Sequence, residues 1–363
     1  MKLLAAGSTV VAFSMALAAG ASAGAQAAAT QAPAGPTSPM PPQVLPPPAG
    51  LAATAPGAAA GVLEQPAQSV FRSGTSFVSL NVTVTDGKRF VTGLAPGDFA
   101  VYEDGVQQQV QFFESSSVPV DLIILLDTSS SMTDKMPVVH EAAAGFLKKL
   151  RTGDRGAIVA FNDGVDVLQD LTSDQTALEA AIRRTHARGS TALHNALYVS
   201  MKQFGRSAQQ AGDVRRQAIA ILSDGEDTSS LFHFDDVLAM ARKSGINIYT
   251  IGLQNHYSLA RADSGRRYFS QSDYSMKSLA LETGGLAFFP QALHELRGIY
   301  ASISEDLSNQ YSIGYSPTNG RPDGRFRRII VRVSAHPEFR PRARMGYTAD
   351  SIRPAASGTP NNR

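Results

Sequence analysis

Apolar residues recur along this chain in three rhythms, and each predicts a different kind of element. From Phe77 onward, Val78, Leu80, Val82 and Val84 alternate with Ser79, Asn81, Thr83 and Thr85. A period of two is expected of a strand with one face buried. Asp86-Gly87 then supplies a turn, a dipeptide suited to a hairpin bend. Phe99, Val101 and Tyr102 lead to a second such pair, Asp104-Gly105, and Val110 and Phe112 alternate with glutamines. Residues 69–117 are therefore expected to form a small β unit that must pack against something else to be stable.

The second rhythm begins at Leu122-Ile123-Ile124-Leu125-Leu126, an unbroken apolar run. Such a run predicts a strand covered on both faces. Ala157 to Phe161, Ala218 to Leu222 and Ile246 to Ile251 repeat it. Between these runs lies the third rhythm, apolar residues three and four apart. Val139, Ala143, Phe146 and Leu150 mark one helical face, and Pro137 stands near its start, where a missing N–H costs nothing. Further helices are expected at about 174–185, 192–205, 235–244 and 276–282, and a last one carries Leu293, Leu296, Tyr300, Ile303 and Leu307. Strands alternating with helices predict an α/β fold with a doubly wound, mostly parallel sheet over residues 118–309.

The C-terminal arm, 310–348, returns to the period of two. Tyr311, Ile313 and Tyr315 form one expected strand and Ile329, Val331 and Val333 another, joined through Asp323-Gly324. This reads as a two-stranded hairpin, too small to stand alone. It is expected to pack with the N-terminal unit, so that the two arms make one small β module flanking the α/β domain.

Composition changes the picture mainly at the ends of the chain. Residues 1–25 combine Lys2, an apolar stretch and Ala21-Ser22-Ala23, the layout of a secretory signal peptide. Residues 26–68 are rich in Ala, Pro and Gly and read as a disordered linker. Residues 349–363 read as a disordered tail. Export is therefore expected, to a periplasmic, cell-surface or secreted location in a bacterium. Beyond the leader, no run is long and apolar enough to span a bilayer. The chain of 363 residues carries 33 basic against 31 acidic residues, a balance unlike that of a nucleic-acid binder. With no cysteine, neither disulfides nor thiolate metal sites are available.

Candidate chemistry lies where the buried runs end. The first stops at Asp127-Thr128-Ser129-Ser130-Ser131, another at Ser223-Asp224, and Gly189-Ser190-Thr191 lies in a loop between them. In open α/β sheets, ligands gather at the carboxyl ends of the strands. Carboxylates and hydroxyls are hard oxygen donors of the sort that Mg²⁺ or Ca²⁺ prefers. Taken singly, the serines are as well explained as helix N-caps. Together, the three pieces resemble the metal-ion-dependent adhesion site of von Willebrand factor A domains: a DxSxS motif, a later Thr, and an Asp at the end of a further strand. The resemblance covers about residues 119–308. It implies a Rossmann-like sheet, and metal ligation by Asp127, Ser129, Ser131, Thr191 and Asp224. It further implies Mg²⁺ as the ion, with Ca²⁺ or Mn²⁺ also compatible, and a protein partner that presents a carboxylate to it. The layout of β collar, central domain and β tail is similar to that of von Willebrand A-related proteins of acidobacteria.

The residues leave other functions open. A metal-assisted hydrolase would use metal-bound water, and His194, near Thr191, is the least remote candidate for a base. No HExxH or Walker-type loop occurs, and a non-enzymatic binding module is the expected function. A structural envelope protein with a vestigial site is the remaining reading. Glu226 and Asp227 read as solvated loop acids. The long loop from Gln254 to Asp273 carries Arg261, Arg266 and Arg267 with Tyr257, Tyr268 and, just beyond it, Tyr274. Arginine and tyrosine often anchor interfaces, so this loop is a candidate for partner selection beside the metal.

Overall fold

The computed structural model describes residues 77–349, apart from 88, 116–117, 211–214, 225 and 254–269. The chain enters through β1 (Val78–Thr85), β2 (Phe99–Glu103), β3 (Val106–Gln108) and β4 (Val110–Ser115). Asp86-Gly87 and Asp104-Gly105 make the expected bends, and Asp104 and Gly105 both have positive φ, 48° and 86°.

The central domain follows as β5 (Val120–Asp127), α1 (Met136–Leu147), β6 (Arg155–Phe161), β7 (Val165–Thr172), α2 (Gln175–Arg183), α3 (Leu193–Gln210) and β8 (Arg216–Ser223). It continues with α4 (Phe234–Ser244), β9 (Asn247–Gly252), α5 (Gln271–Thr283), β10 (Ala287–Phe288) and α6 (Leu296–Ser308). The six strands lie in the order β10-β9-β8-β5-β6-β7. All neighbours are parallel except β7, which runs antiparallel to β6.

Alternation within β5 shows why the sheet is doubly wound. Leu122, Ile124 and Leu126 pack with Val139 and Phe146 of α1, Leu178 of α2 and Ile303 of α6. Ile123 and Leu125 face the other way, onto Leu197 and Phe204 of α3, Val237 of α4 and Leu279 of α5. All eight residues of β5 are buried, as an unbroken apolar run requires. Local signals fix the helix ends. Asp174 Oδ1 accepts from Thr176 N and Ala177 N, at 2.9 and 3.2 Å, and Gly245 and Gly284 end α4 and α5 in the left-handed region. Boundaries differ from expectation in places. Helix α1 ends at Leu147, so Leu150 lies beyond it, although it still packs against the core. Helix α5 starts five residues before Met276, and Leu293 falls in a 3₁₀ turn ahead of α6.

The last strands, β11 (Gln310–Tyr315), β12 (Phe326–Val333), β13 (Arg340–Arg342) and β14 (Gly346–Thr348), return to the N-terminal arm. Here the expected C-terminal hairpin is corrected. Strands β11 and β12 do not pair with each other. Strand β11 lies between β1 and β4 in a sheet of order β13-β1-β11-β4, and β12 lies between β14 and β2 in a second sheet, β14-β12-β2-β3. Each strand has one apolar face, and dividing them between two sheets turns those faces toward one another. Leu80, Val82, Phe99, Val101, Ile313, Tyr315 and Ile329 make the shared core.

The module is bolted to the amino ends of the central strands. Arg216, at the start of β8, donates to the carbonyls of Val118, Leu307 and Gln310. Asn81 of β1 donates to the Asn247 side chain at 2.7 Å, and Arg342 of β13 reaches Asp306 and the Gly284 carbonyl. The carboxyl ends of β5 and β8 lie one strand length away, roughly 23 Å at 3.3 Å per residue.

Candidate functional site

Asp127 is the last residue of β5 and is fully buried. Its Oδ1 accepts from Ser129 N at 2.8 Å and its Oδ2 from Ser223 Oγ at 2.5 Å. Burial pushes its carboxyl up from the ordinary carboxylate range, the Ser129 and Ser223 hydrogen bonds oppose this, and the nearby Asp224 carboxylate adds to the rise.

Backbone bonds staple three loops together here. Ser130 N donates to the Gly189 carbonyl at 3.0 Å, and Arg188 N donates to the Thr128 carbonyl at 2.7 Å. These bonds tie the loop after β5 to the loop before α3. Thr191 O in turn accepts from Thr228 N and Ser229 N, at 2.8 and 3.0 Å, and Thr191 N donates to Thr228 Oγ1. The loop after β8 is thereby drawn in. Gly189 has φ of +71°, and a Cβ there would meet Asp163 Oδ1 at 2.5 Å, so this crossing suits glycine.

The serines do not act as caps. Ser129 stands at the N-cap position of a 3₁₀ turn, Ser130–Lys135, yet its hydroxyl makes no capping bond. Instead, Ser129 Oγ lies 3.0 Å from Ser131 Oγ. Two ligands on adjacent corners of an octahedron with metal–oxygen bonds of 2.0–2.1 Å stand about 3 Å apart, so this spacing suits Mg²⁺. Asp224 Oδ2 is buried and accepts no hydrogen bond. A buried carboxylate oxygen without a hydrogen bond is costly unless a cation faces it, and the Lys135 ammonium stands at ion-pair distance from this one. Among the described residues, no group of three or more His, Cys, Asp or Glu is placed to hold a metal. The donor set available at the carboxyl ends is two carboxylates, Asp127 and Asp224, with the hydroxyl residues Ser129, Ser131 and Thr191.

Several residues that organise this region carry no distinctive sequence signal. Ser223 precedes the last Asp of the motif without being one of its donors, yet its hydroxyl holds Asp127. Thr128 donates its hydroxyl to the Phe161 carbonyl at 2.9 Å. Lys135 closes the 3₁₀ turn and places Nζ 3.6 Å from Asp224 Oδ2. The reading of Asp227 as a solvated acid is corrected: it accepts from Ser230 Oγ at 2.7 Å and lies 3.1 Å from His194 Nδ1. That His194 nitrogen is also 3.1 Å from the Phe232 carbonyl. Asn195 Oδ1 accepts from Leu231 N, and Leu231 stands 86% exposed at the crest of this pinned loop. Arg261, Arg266 and Arg267 lie outside the described residues, as do Tyr257 and Tyr268; Tyr274 lies on α5 and is exposed.

Residues 121–282 match the family model of the von Willebrand factor type A domain. The chain therefore carries a von Willebrand factor type A domain, the class that the sheet and its strand-end loops define. Among curated proteins, it is similar to UPF0353 proteins of mycobacteria. It is 26% identical over 213 residues to that of Mycobacterium bovis, covering 55% of this chain and 62% of the relative. It is 25% identical over 228 residues to that of Mycobacterium leprae, covering 59% and 66%. The chain thus spans less than two thirds of those relatives' length. Solved structures similar to it include a von Willebrand factor type A protein from Catenulispora acidiphila, at 13% identity and a TM-score of 0.44, covering 78% of this chain and 75% of that one. Another is the vWF domain of the type V pili tip protein Mfa5 from Porphyromonas gingivalis, at 16% identity and 0.42, covering 52% and 94%.

Proposed function

We propose that this chain is an exported binding module whose von Willebrand factor type A domain holds a divalent cation, with a protein partner's carboxylate completing the ion's shell. The observation that carries this reading is the pair of serine hydroxyls, 3.0 Å apart and unused for capping, in the loop cluster that also holds the Asp224 carboxylate, whose Oδ2 accepts no hydrogen bond. Domains of this class generally bind protein partners.

Ser129, Ser131 and Thr191 would hold the ion as neutral donors, leaving its charge largely intact. Asp127, already engaged by Ser129 N and Ser223 Oγ, would balance charge and orient the shell. Asp224 would supply the second carboxylate. Mg²⁺ suits such a set because it favours six oxygens and keeps several waters, and Ca²⁺ and Mn²⁺ accept the same donor types. When bound, the ion supplies an electrophilic centre for an outside oxygen, and recognition then breaks no bond. No helix among the described residues is long and apolar enough to cross a membrane. Export rests on the leader-like residues 1–25.

Calorimetry with Mg²⁺ and Mn²⁺ tests the site. Binding should be measurable in the wild type and lost in both Asp127→Ala and Asp224→Ala. Unchanged affinity in either variant would rule out this ligand set. A pull-down from envelope extract, with and without chelator, tests the partner. Capture should vanish with chelator and with Asp127→Ala. Ester or phosphate turnover that is lost in Asp127→Ala would overturn the non-enzymatic reading.

A further inference from the structure

The cation held at this site's second carboxylate is the protein's own. Lys135 Nζ lies 3.6 Å from Asp224 Oδ2, with the side chains 12% and 3% exposed. That is an ion-pair distance and longer than a hydrogen bond. The backbone beneath Lys135 is fixed. It closes the turn that starts on the motif's serines, and Met132 and Met136, on either side, are buried in the core. The four-carbon stem can still swing the ammonium away. Asp127 and Asp224 meanwhile place two carboxylates close together where water is scarce, and the single Lys135 charge offsets one of them. A divalent ion arriving at Asp224 would meet that positive charge at short range, where like charges repel strongly.

Resting on the reading of the site as a divalent-cation site, we propose that Lys135 is its tethered counter-cation. It neutralises Asp224 before metal arrives, and it competes with the metal for that carboxylate. The ion then enters only as the lysine withdraws. Lys135 thereby lowers metal affinity, while the metal-free domain remains folded without a buried, unpaired pair of anions.

Lys135→Met removes the charge at similar length, Lys135→Gln is a second uncharged variant, and Lys135→Arg retains the charge. Each is titrated with Mn²⁺ by calorimetry and melted in chelator. Both uncharged variants should bind Mn²⁺ at least tenfold more tightly than wild type and melt several degrees lower without metal. Lys135→Arg should follow wild type in both. Binding by an uncharged variant when wild type binds none would equally support the competition. Equal Mn²⁺ affinity in wild type and the uncharged variants, or an unchanged melting temperature in chelator, overturns the role of Lys135 and leaves the metal site standing. Absence of Mn²⁺ binding in all four proteins overturns both.

Discussion

At the scale of single residues, Ser223 and His140 show how much depends on atoms that no motif names. Ser223 Oγ gives the buried Asp127 a hydrogen bond at its Oδ2. A hydrogen bond to a charged group is worth about 2 kcal/mol. Ser223→Ala should therefore lower stability by about that much in urea unfolding, and Ser223→Thr should restore it. His140 Nε2 lies 2.6 Å from Thr185 Oγ1, and burial, aided by the His186 charge, holds its pKa below the usual value. The unfolded chain then takes up the proton first, so stability is present above the ordinary histidine pKa and is lost as pH falls through the folded value. Between pH 7.5 and 5.5 the melting temperature should fall more in wild type than in His140→Gln, and equal slopes would refute the assignment. The strand-end cluster of Asp127, Ser129 and Ser131 was legible because strand, carboxylate and hydroxyls are adjacent along the chain. Lys135 was not, since a lysine opening a helix is ordinary and only the 3₁₀ turn before it brings the ammonium to Asp224. The arginines of residues 261–267 gave a composition signal without any placement.

Elements were legible in proportion to how local their cause is. The unbroken apolar run Leu122–Leu126 marks β5 as a strand covered on both faces, and caps such as Asp174 fix helix starts within a few residues. Asp174→Ala should cost about 1 kcal/mol, read as a lower urea midpoint at unchanged slope. Pairing is another matter. The alternation in Tyr311, Ile313 and Tyr315 says that one face is buried, yet says nothing about which neighbour lies alongside. Proximity in sequence suggested a hairpin with β12, whereas β1 and β4 won β11 because two facing sheets bury more apolar surface than one ribbon. Ile313 is fully buried in that shared core. Ile313→Ala should cost about 2–5 kcal/mol. If the loss is far smaller, the sandwich core is not where the described pairing puts it.

For the whole molecule, the central domain is an insertion: the chain leaves the sandwich at β4 and rejoins it at β11. Arg216 guards the junction. Its guanidinium serves three carbonyls, and burial lowers its pKa to about 10. Arg216→Met should leave those carbonyls unsatisfied and cost about 3 kcal/mol, lost from module and domain together in one calorimetric transition. The insertion has a mechanical consequence. Tension applied at Phe77 and Ala349 falls first on β1 and β14, whose partners are strands of the sandwich. The main path of that load runs through the sandwich strands, and β5 with its aspartate lies off that path until β1 has been torn from β11. The sandwich is thus a shunt. In a pulling experiment the first rupture should release sandwich residues alone, with the strand-end loops still in register and able to keep their grip on whatever they hold.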